Sequence, residues 1–187
     1  MRESLSRPPK RELEKIMYFK TERLNTRRFV LEDLDDFHEM QSNNNVMKYI
    51  LGRGKTRTEN ANELCKIINS YNENNTDRLI MAISEINDET HTLIGACAVA
   101  KSENGEFEVG YRFSEKHWGK GYGSEILNGL LQFCLNELAI NKIISIVEKA
   151  NIYSVRILEN SPMQFIREYE EEDTRNLVRL YKLEKTV

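Results

Sequence analysis

The sequence is poor in the residues that bind metals and form disulfides. It contains three cysteines and three histidines among 187 residues, and neither set has the spacing of a metal site. The cysteines are Cys65, Cys97 and Cys134, and no two of them form a CxxC pair. An odd number of thiols in apolar surroundings indicates reduced core residues rather than a disulfide framework. We therefore expect no metal.

Long apolar segments are also absent. No run of about 18 apolar residues occurs, and the N-terminal MRESLSRPPKRELEK lacks the apolar centre of a signal peptide. The net charge of −3 and the isoelectric point near 5.8 give no electrostatic reason to expect nucleic acid as the main partner. The expectation is a cytoplasmic protein that binds neither nucleic acid nor membrane.

Proline is scarce, and its distribution separates the first residues from the rest. Two of the three prolines, Pro8 and Pro9, lie in a basic stretch that precedes the first strand-like pattern. Residues 1–16 are therefore expected to form a flexible or short helical N-terminal extension. Residues 17–187 then form one domain, since a hydrophobic content of 40% over this length suits a single sizeable core.

Periodicity predicts a mixed α/β (α+β) fold. Alternation or continuous apolar runs predict strands over 17–29, 78–86, 92–100, 106–114 and 142–148, with a closing hairpin of QFIREYE and RNLVRLYKLEK around an EEED turn. Spacings of three and four predict helices over 31–41, 58–71, 126–138 and 151–160. The short turns NDET and SENG indicate an antiparallel meander of the three middle strands. The expected architecture is a mostly antiparallel sheet of six to seven strands with helices on both faces.

The stretch HWGKGYGSEIL, residues 117–127, is the most informative local pattern. Gly119, Gly121 and Gly123 follow a predicted strand and lead directly into a predicted helix. Such a loop presents free backbone N–H groups and a helix N-terminus to an anion, and Lys120 adds positive charge. The pattern favours a phosphate-binding loop, with a flexible loop at a helix start as the alternative.

Two nucleotide-binding motifs can be excluded. The dinucleotide fingerprint GxGxxG needs a third glycine where Ser124 stands. The GKT at residues 54–56 would place the first glycine of a P-loop at Tyr49, and no strand leads into it. If the loop binds phosphate, the phosphorylated ligand therefore belongs to another class.

Six segments of the chain have a characteristic order and spacing: TERLNTRRF near the start, VMKYI at 46–50, IGACAVA at 94–100, FEVGYRF at 107–113, WGKGYGSEIL at 118–127 and NIYSVRILE at 151–159. Together they resemble the GCN5-related N-acetyltransferases (GNAT family), and within that family the ribosomal-protein alanine N-acetyltransferase (RimJ/RimL-like) branch. The resemblance spans residues 18–185 and implies a GNAT fold with acetyl-CoA as cosubstrate.

The resemblance implies how acetyl-CoA is held. The family signature Gln/Arg-x-x-Gly-x-Gly/Ala falls on residues 118–123, and Trp118 departs at the first position, as is usual in this branch. In the family this loop binds the pyrophosphate through backbone amides, and the strand at 108–111 splays from the strand at 143–147 to admit the pantetheine arm. The residues implied in binding acetyl-CoA are Val109, Gly110, Tyr111, Trp118, Gly119, Lys120, Gly121, Tyr122, Gly123, Ser124 and Asn151.

Amine acetylation requires a group that removes a proton, because only the neutral amine attacks the thioester. Glu108 is the candidate, and strand alternation places it with Gly110 and Arg112 on the face opposite Val109. An ordinary solvent-facing glutamate is the alternative. The oxyanion of the intermediate is expected to bind the backbone N–H of Val109 or Gly110 at a bulge in the strand.

The departing thiolate needs a proton or a hydrogen bond. Ser154 matches the serine of the family's Asn-x-x-Ser element, which begins here at Asn151, and Tyr153 is the second candidate. The alternative is that these residues only form the first turn of a helix, with Asn151 as its N-cap. No cysteine has a recognisable nucleophile setting, which favours direct transfer without a covalent enzyme intermediate.

Two further features concern the acceptor. Residues 158–163 read Leu-Glu-Asn-Ser-Pro-Met where the branch usually has Leu-Glu-Lys-Leu-Gly-Phe, and Pro162 cannot adopt the positive φ of that glycine, so the helix must end differently. The closing hairpin also carries five carboxylates, which favour a cationic amine, with a solvated hairpin tip as the alternative. They are Glu168, Glu170, Glu171, Glu172 and Asp173.

The sequence thus predicts an acetyl-CoA-dependent N-acetyltransferase that acts on a primary amine, either a protein N-terminal α-amine or a small-molecule amine. The alternative is a non-catalytic acyl-CoA-binding or regulatory GNAT module. The expected partners are acetyl-CoA and an amine acceptor, bound by a monomer or a homodimer.

Overall fold

The computed structural model describes residues 17–73, 77–102 and 104–185. The strands are β1 Met17–Lys20, β2 Leu24–Arg27, β3 Arg78–Glu85, β4 Gly95–Lys101, β5 Phe107–Phe113, β6 Lys142–Glu148, β7 Gln164–Glu170 and β8 Leu177–Glu184. The helices are α1 Leu34–Ser42, α2 Asn44–Met47, α3 Arg57–Ser70, α4 Tyr122–Asn136 and α5 Ile152–Glu159, with short 3-10 turns at 31–33 and 115–117. The extension predicted for residues 1–16 lies outside the described residues.

One eight-stranded sheet forms the centre of the fold, in the order β1-β2-β3-β4-β5-β6-β8-β7. Neighbouring strands are antiparallel except β5 and β6, which are parallel. The prediction of six to seven strands was too low, because residues 17–29 contain a hairpin of two strands rather than one. Its turn is held by Thr21, whose N–H donates to the Leu24 carbonyl at 2.9 Å and whose Oγ1 accepts the Leu24 N–H at 3.1 Å.

The contact between β5 and β6 creates the feature that positions the site. β4 and β5 keep one unbroken antiparallel register along the whole of both strands. β5 and β6 share two residue pairs within the described chain, at Phe107 and Glu108 of β5. Beyond Glu108 the two parallel strands separate, so a gap opens in the sheet.

Helices cover both faces of the sheet, as predicted. On one face α4 and α5 pack against the strands, and Leu130 and Val155 lie in the same buried cluster as Val109 of β5. On the other face α1 and α3 bury Phe37 and Leu64 in a second cluster. The helix layer formed by α1 and α3 is the smaller of the two. It leaves the face of β5 at Gly110 uncovered.

The end of α5 differs from the family pattern, as the sequence indicated. None of residues 160–163 has a positive φ. The N–H and hydroxyl of Ser161 both donate to the Leu158 carbonyl, and Ser161 Oγ accepts the Met163 N–H at 3.1 Å. Side-chain hydrogen bonds therefore end the helix in place of a glycine, and Pro162 fits there without strain.

Most predicted element bounds differ from the structure by one to four residues, and two of these differences have a clear local cause. α4 ends at Asn136 rather than at 138, because the chain reverses at Ala139, which has a φ of 53°. β4 begins at 95 rather than at 92, because the Thr92 N–H donates to the Asp88 carboxylate at 2.7 Å rather than to a neighbouring strand.

Candidate active site

The glycine loop joins the end of β5 to the start of α4. Its backbone turns through left-handed conformations at Gly119 (φ 72°) and Gly121 (φ 79°), which residues with a side chain rarely adopt. The Trp118 indole N–H donates to the Phe113 carbonyl at 2.9 Å and holds the loop against the strand end. The turn itself therefore requires glycine at these two positions.

The same turn leaves a row of backbone donors free. The Glu125 N–H donates to the Gly121 carbonyl at 3.2 Å and begins the regular hydrogen bonding of α4. Within the described ranges, the N–H groups of residues 119–124 donate to no other group. They lie at the positive end of a 15-residue helix, which is the arrangement of backbone donors that suits a phosphate group.

Gly123 has a packing role beside this row. A Cβ at this position would lie 2.7 Å from Cδ1 of Ile157 and 3.2 Å from Cε2 of Tyr111. Both distances are shorter than ordinary contacts, so the absence of a side chain lets α5 and β5 approach the start of α4. The third glycine is therefore needed for close packing of α4 against α5 and β5.

A cation that the sequence analysis missed braces the loop. Arg23 donates to the Lys120 carbonyl at 3.0 Å and forms an ion pair of 2.7 Å with Glu125. Its guanidinium carbon lies 4.7 Å from the centre of the Tyr122 ring. Because Arg23 lies 97 residues before Lys120, no local pattern could have indicated this contact.

The pairing of β5 decides which backbone donors face the gap. The Ser114 N–H, just past β5, donates to the Ile94 carbonyl at 2.9 Å. Such bonds recur at every second residue of an antiparallel ladder, so the Gly110 N–H faces β4, whereas those of Val109 and Tyr111 face β6. The predicted bulge was wrong, because the register with β4 is unbroken.

The last pair between β5 and β6 narrows the choice further. This pair joins Glu108 to Ile144. In a parallel ladder, the hydrogen bonds of such a pair are made by the residues before and after one partner, so the Val109 N–H is already used in bonding to β6. The Tyr111 N–H, two residues further along, faces the gap beyond this pair. Among Val109, Gly110 and Tyr111, the Tyr111 N–H is therefore the one that faces the gap without a strand partner.

The Tyr111 side chain adds a second donor at the same place. Its hydroxyl is buried and has no hydrogen-bond partner of ordinary geometry in the part of the chain that the structure describes. It lies beside Ser154 and 3.5 Å from the point that a Cβ on Gly123 would occupy. Burial raises the pKa of the phenol to about 12, so it keeps its proton. A buried donor without a partner fits a position where a ligand supplies the acceptor.

The first turn of α5 carries the other predicted residues. Asn151 Oδ1 accepts the Ser154 N–H at 3.3 Å, so Asn151 is the N-cap of this helix. Ser154 is half-buried, and its side chain is a neighbour of the Tyr111 phenol. Tyr153 is 72% exposed, which places its phenol outside the enclosed region. The geometry favours Ser154 over Tyr153.

Glu108 lies on the opposite face of the sheet from the Tyr111 side chain. It is half-buried, and burial, followed by repulsion from Glu171, raises the pKa of its carboxyl. Beside it Gly110 is exposed, and a Cβ there would meet no atom within 4 Å. The gap therefore has the glycine loop and Ser154 on one face, and a carboxylate in an open groove on the other.

The acidic hairpin tip reaches the same groove. Glu168 and Glu170 form ion pairs with neighbouring basic side chains, which compensates their charge. Glu171 makes no ion pair within 4 Å across the three described ranges, and it is close enough to Glu108 to affect its pKa. One uncompensated carboxylate of the hairpin is therefore an electrostatic neighbour of the candidate base.

The cysteines show no sign of a nucleophile. Cys97 and Cys134 are buried, and burial raises the pKa of the Cys134 thiol to about 12. Cys65 is exposed, so the expectation that all three are core thiols was wrong for this residue. Among the residues that the structure describes, no group of three or more His, Cys, Asp or Glu side chains could hold a metal ion. No helix in those ranges has the length and apolar character needed to cross a membrane.

The fold and the loop define the class of protein: one that holds a phosphorylated cosubstrate at a split in its sheet. Residues 23–164 match the sequence model of the acetyltransferase (GNAT) domain. The chain is 32% identical over 156 residues to p20 of Bacillus licheniformis, described as an uncharacterized N-acetyltransferase, and the match covers 80% of this chain and 85% of that protein. The chain therefore belongs to the GNAT family and is an acetyl-CoA-dependent acetyltransferase.

Solved structures show the same fold. A GNAT-family acetyltransferase from Bacillus anthracis has a TM-score of 0.77 and 24% identity, covering 90% of this chain and 98% of that one. RimL, a ribosomal L7/L12 α-N-protein acetyltransferase in complex with coenzyme A, has a TM-score of 0.75 and 13% identity, covering 90% and 97%. These similarities show that the mixed eight-stranded sheet is a GNAT fold.

Proposed function

We propose that this acetyltransferase moves the acetyl group of acetyl-CoA directly to a primary amine at the gap between β5 and β6. The observation that carries the proposal is the separation of the strands after Glu108. The separation leaves the Tyr111 N–H facing the gap, with Ser154 on one face of the sheet and Glu108 on the other. Cosubstrate and acceptor therefore approach from opposite faces and meet at the split.

The glycine loop holds the pyrophosphate of acetyl-CoA. The free N–H groups of residues 119–124 supply the hydrogen bonds, and Lys120 and Arg23 supply positive charge at its edge. Asn151 and the gap-facing backbone of β5 lie along the path toward Ser154. The RimL structure, which contains coenzyme A, supports this mode of binding.

Each reacting group has a counterpart in the gap. The amine lone pair attacks the thioester carbon, and Glu108 accepts the proton that the nitrogen loses as the C–N bond forms. The Tyr111 N–H binds the oxyanion of the intermediate. As the C–S bond breaks, the Ser154 hydroxyl and the Tyr111 phenol donate hydrogen bonds to the departing thiolate. No covalent enzyme intermediate is required, since neither buried thiol is positioned or ionised for attack.

The acceptor belongs to the primary amines, as a protein N-terminal α-amine or a small-molecule amine, and the similarity to RimL supports membership of the RimJ/RimL-like branch. The test is CoA release measured with acetyl-CoA and a panel of peptides, amino acids, polyamines and aminoglycosides, together with calorimetry of acetyl-CoA binding. Release with any class of amine supports the proposal. Tight binding of acetyl-CoA without release would instead support a non-catalytic acyl-CoA-binding module, and absence of binding would overturn both functions.

A further inference from the structure

The face of β5 that carries Glu108 forms an open groove with a charged residue at each end. Glu108, Gly110 and Arg112 follow one another along this face, and the space above Gly110 is open. The neighbouring strand adds a low floor, since Ala98 pairs with Gly110 and Ala100 with Glu108, and both alanines are half-buried. We call this space the acceptor groove.

Arg112 is a cation without a carboxylate partner. Its Nη1 donates to Gln41 Oε1 at 2.7 Å and lies 3.8 Å from the sulfur of Met47. Across residues 17–73, 77–102 and 104–185, no carboxylate lies within 4 Å of its guanidinium. Its Nε and Nη2 make no hydrogen bond within those ranges, and neither atom is fully buried, so both are accessible to a ligand.

The carboxylate within electrostatic reach of Arg112 is already engaged elsewhere. Glu63 forms an ion pair of 2.5 Å with Lys55 and accepts a hydrogen bond of 3.0 Å from Gln41 Nε2. Gln41 is fully buried and also donates to Asn60, so its orientation is fixed. The amide network thus holds the guanidinium in place while Lys55 neutralises Glu63.

The electrostatics of Arg112 show an incompletely compensated charge. Burial lowers its pKa, the charge of Glu63 opposes this effect, and the charge of Arg78 adds to it. A protein rarely keeps a mostly buried cation without a carboxylate at contact distance. Arg112 therefore provides the uncompensated positive charge at one end of the acceptor groove, while Glu108 and Glu171 act on the other.

The dimensions of the groove limit the separation of charges in its ligand. Arg112 lies four residue steps along the strand from Glu108, which is about 13 Å of backbone. The space between them is empty, since a Cβ built on Gly110 would meet no atom within 4 Å, so a small molecule has room to lie there. The amine must lie near Glu108 and the gap, and an anion on the same molecule would then lie near Arg112.

We propose that the acceptor is a primary amine that carries a carboxylate a few bonds from its nitrogen. This inference rests on the proposed function and specifies its acceptor. Glu108 and Glu171 attract the amine end, and Arg112 binds the carboxylate with its free Nε and Nη2, in the fork geometry that guanidinium offers. A polyamine of the same length would place a second ammonium group beside Arg112, and repulsion would disfavour it.

The first experiment compares acceptors that differ only in the carboxylate. CoA release is measured for alanine, β-alanine and 4-aminobutyrate, each against its own amide. Rates are expressed per concentration of neutral amine, because the amide lowers the amine pKa. Peptides that begin with Asp or Glu are compared with peptides that begin with Asn or Gln, which separates free amino acids from acidic N-termini as the source of the carboxylate. We expect each preferred acid to exceed its amide about tenfold or more in kcat/KM.

The second experiment removes the cation. Arg112→Gln should lower kcat/KM for the preferred acid about tenfold or more, chiefly through KM, and should bring the acid-to-amide ratio close to one. Arg112→Lys should keep part of the preference, since it retains the charge but not the fork. Arg57→Gln is the matched control: Arg57 is exposed, pairs with Asp35 on the surface, and its loss should leave the ratio unchanged.

The outcomes separate this inference from the proposed function. Amides that react as well as their acids, or polyamines that react better than every acid, would overturn the carboxylate inference and leave acetyl transfer to amines intact. An Arg112→Lys or Arg112→Gln protein that keeps the full acid-to-amide ratio would overturn the inference in the same way. Failure of every amine to release CoA from a protein that binds acetyl-CoA would overturn both.

Discussion

At the scale of single residues, Glu108 has the properties expected of a base for amines. It is the last residue of β5 that pairs with β6 before the strands separate. Burial and the charge of Glu171 raise the pKa of its carboxyl. A carboxylate with a raised pKa is a stronger base, and it stands closer to the range in which amines lose their protons.

We therefore expect Glu108→Gln to lower kcat/KM about 100-fold near neutral pH. The loss should shrink as the pH approaches the pKa of the amine, because the acceptor then arrives already neutral. The measurement is a pH–rate profile of wild type and variant with one acceptor. An equal loss at every pH would show that Glu108 binds the acceptor rather than accepting its proton.

The stability of the same variant provides an independent control. Because folding raises the pKa of Glu108, folding favours its protonated form. That contribution is complete below the unfolded pKa of about 4.3 and is lost as the pH rises through the folded pKa. The Glu108→Gln protein has no carboxyl to ionise at this position, so it does not lose this stability as the pH rises. Its Tm should therefore exceed that of wild type at neutral pH and converge with it near pH 4. A lower Tm at neutral pH would contradict the burial of an ionised group.

Ser154 and Tyr111 are predicted to act on the departing thiolate. Ser154→Ala should lower kcat about 100-fold with little change in the Kd for acetyl-CoA. Tyr111→Phe should also lower kcat, but its Tm should change little, because the buried hydroxyl that it removes has no hydrogen bond of ordinary geometry among the described residues. Ser70→Ala is the control for serine removal: the Ser70 hydroxyl donates to the Ile67 carbonyl far from the gap. A weaker Kd in Ser154→Ala would make Ser154 a binding residue.

At the scale of elements, the glycine loop depends on backbone conformation rather than on side-chain chemistry. Acetyl-CoA should raise the Tm of the wild type, as any ligand of the native state does. Gly121→Val should abolish that rise, because a β-branched residue at a φ of 79° forces the loop to move and misdirects its N–H groups. Differential scanning fluorimetry with and without acetyl-CoA measures the effect.

Gly105 provides the matched control for backbone strain. It has the same φ of 79°, and a Cβ there would meet no atom within 4 Å, but it lies in the turn before β5. Gly105→Val should therefore lose about the same 1–2 kcal/mol of stability and still respond to acetyl-CoA. If Gly121→Val responds as Gly105→Val does, the loop does not bind the pyrophosphate.

Elements with a strong local signal were predictable from the sequence. β6 occupies the predicted residues 142–148, because a continuous apolar run is bounded by polar residues on both sides. The four-residue helix α2 was missed, since it is too short for periodicity and begins only because Asn43 Oδ1 accepts the Asn45 N–H. The β1–β2 hairpin was also missed, because its turn depends on Thr21 rather than on glycine or proline.

At the scale of the whole molecule, the two halves of the site differ in how far apart their residues lie in sequence. The glycine loop is one continuous segment, so a local motif was enough to predict it. The acceptor groove depends on contacts across the fold, such as that between Arg112 and Gln41, which are 71 residues apart. Neither the compensation of Glu63 by Lys55 nor the proximity of Glu171 to Glu108 leaves a periodic signal.

The acidic hairpin gives the last prediction, which concerns the field around the entrance. Glu171 and Glu172 make no ion pair within 4 Å in the portion of the chain that is described, so their charge is available to attract an amine. Charge reversal of both to lysine should raise KM for the amine acceptor at low salt. The difference should shrink at high salt, because the Debye length falls from about 10 Å at 0.1 M to about 3 Å at 1 M.

The control variant reverses the exposed Glu89 and Glu137 to lysine. It changes the net charge by the same amount at positions outside the hairpin, so it should leave KM unchanged. The hairpin variant should differ in one more respect. Since the charge of Glu171 helps to raise the pKa of Glu108, its reversal should move the acidic limb of the pH–rate profile to lower pH. A change in KM that is shared by both double variants would reflect net charge alone. An unchanged KM and an unmoved limb in the hairpin variant would leave the turn with a role in solubility only, and the attraction of the amine would then rest on Glu108.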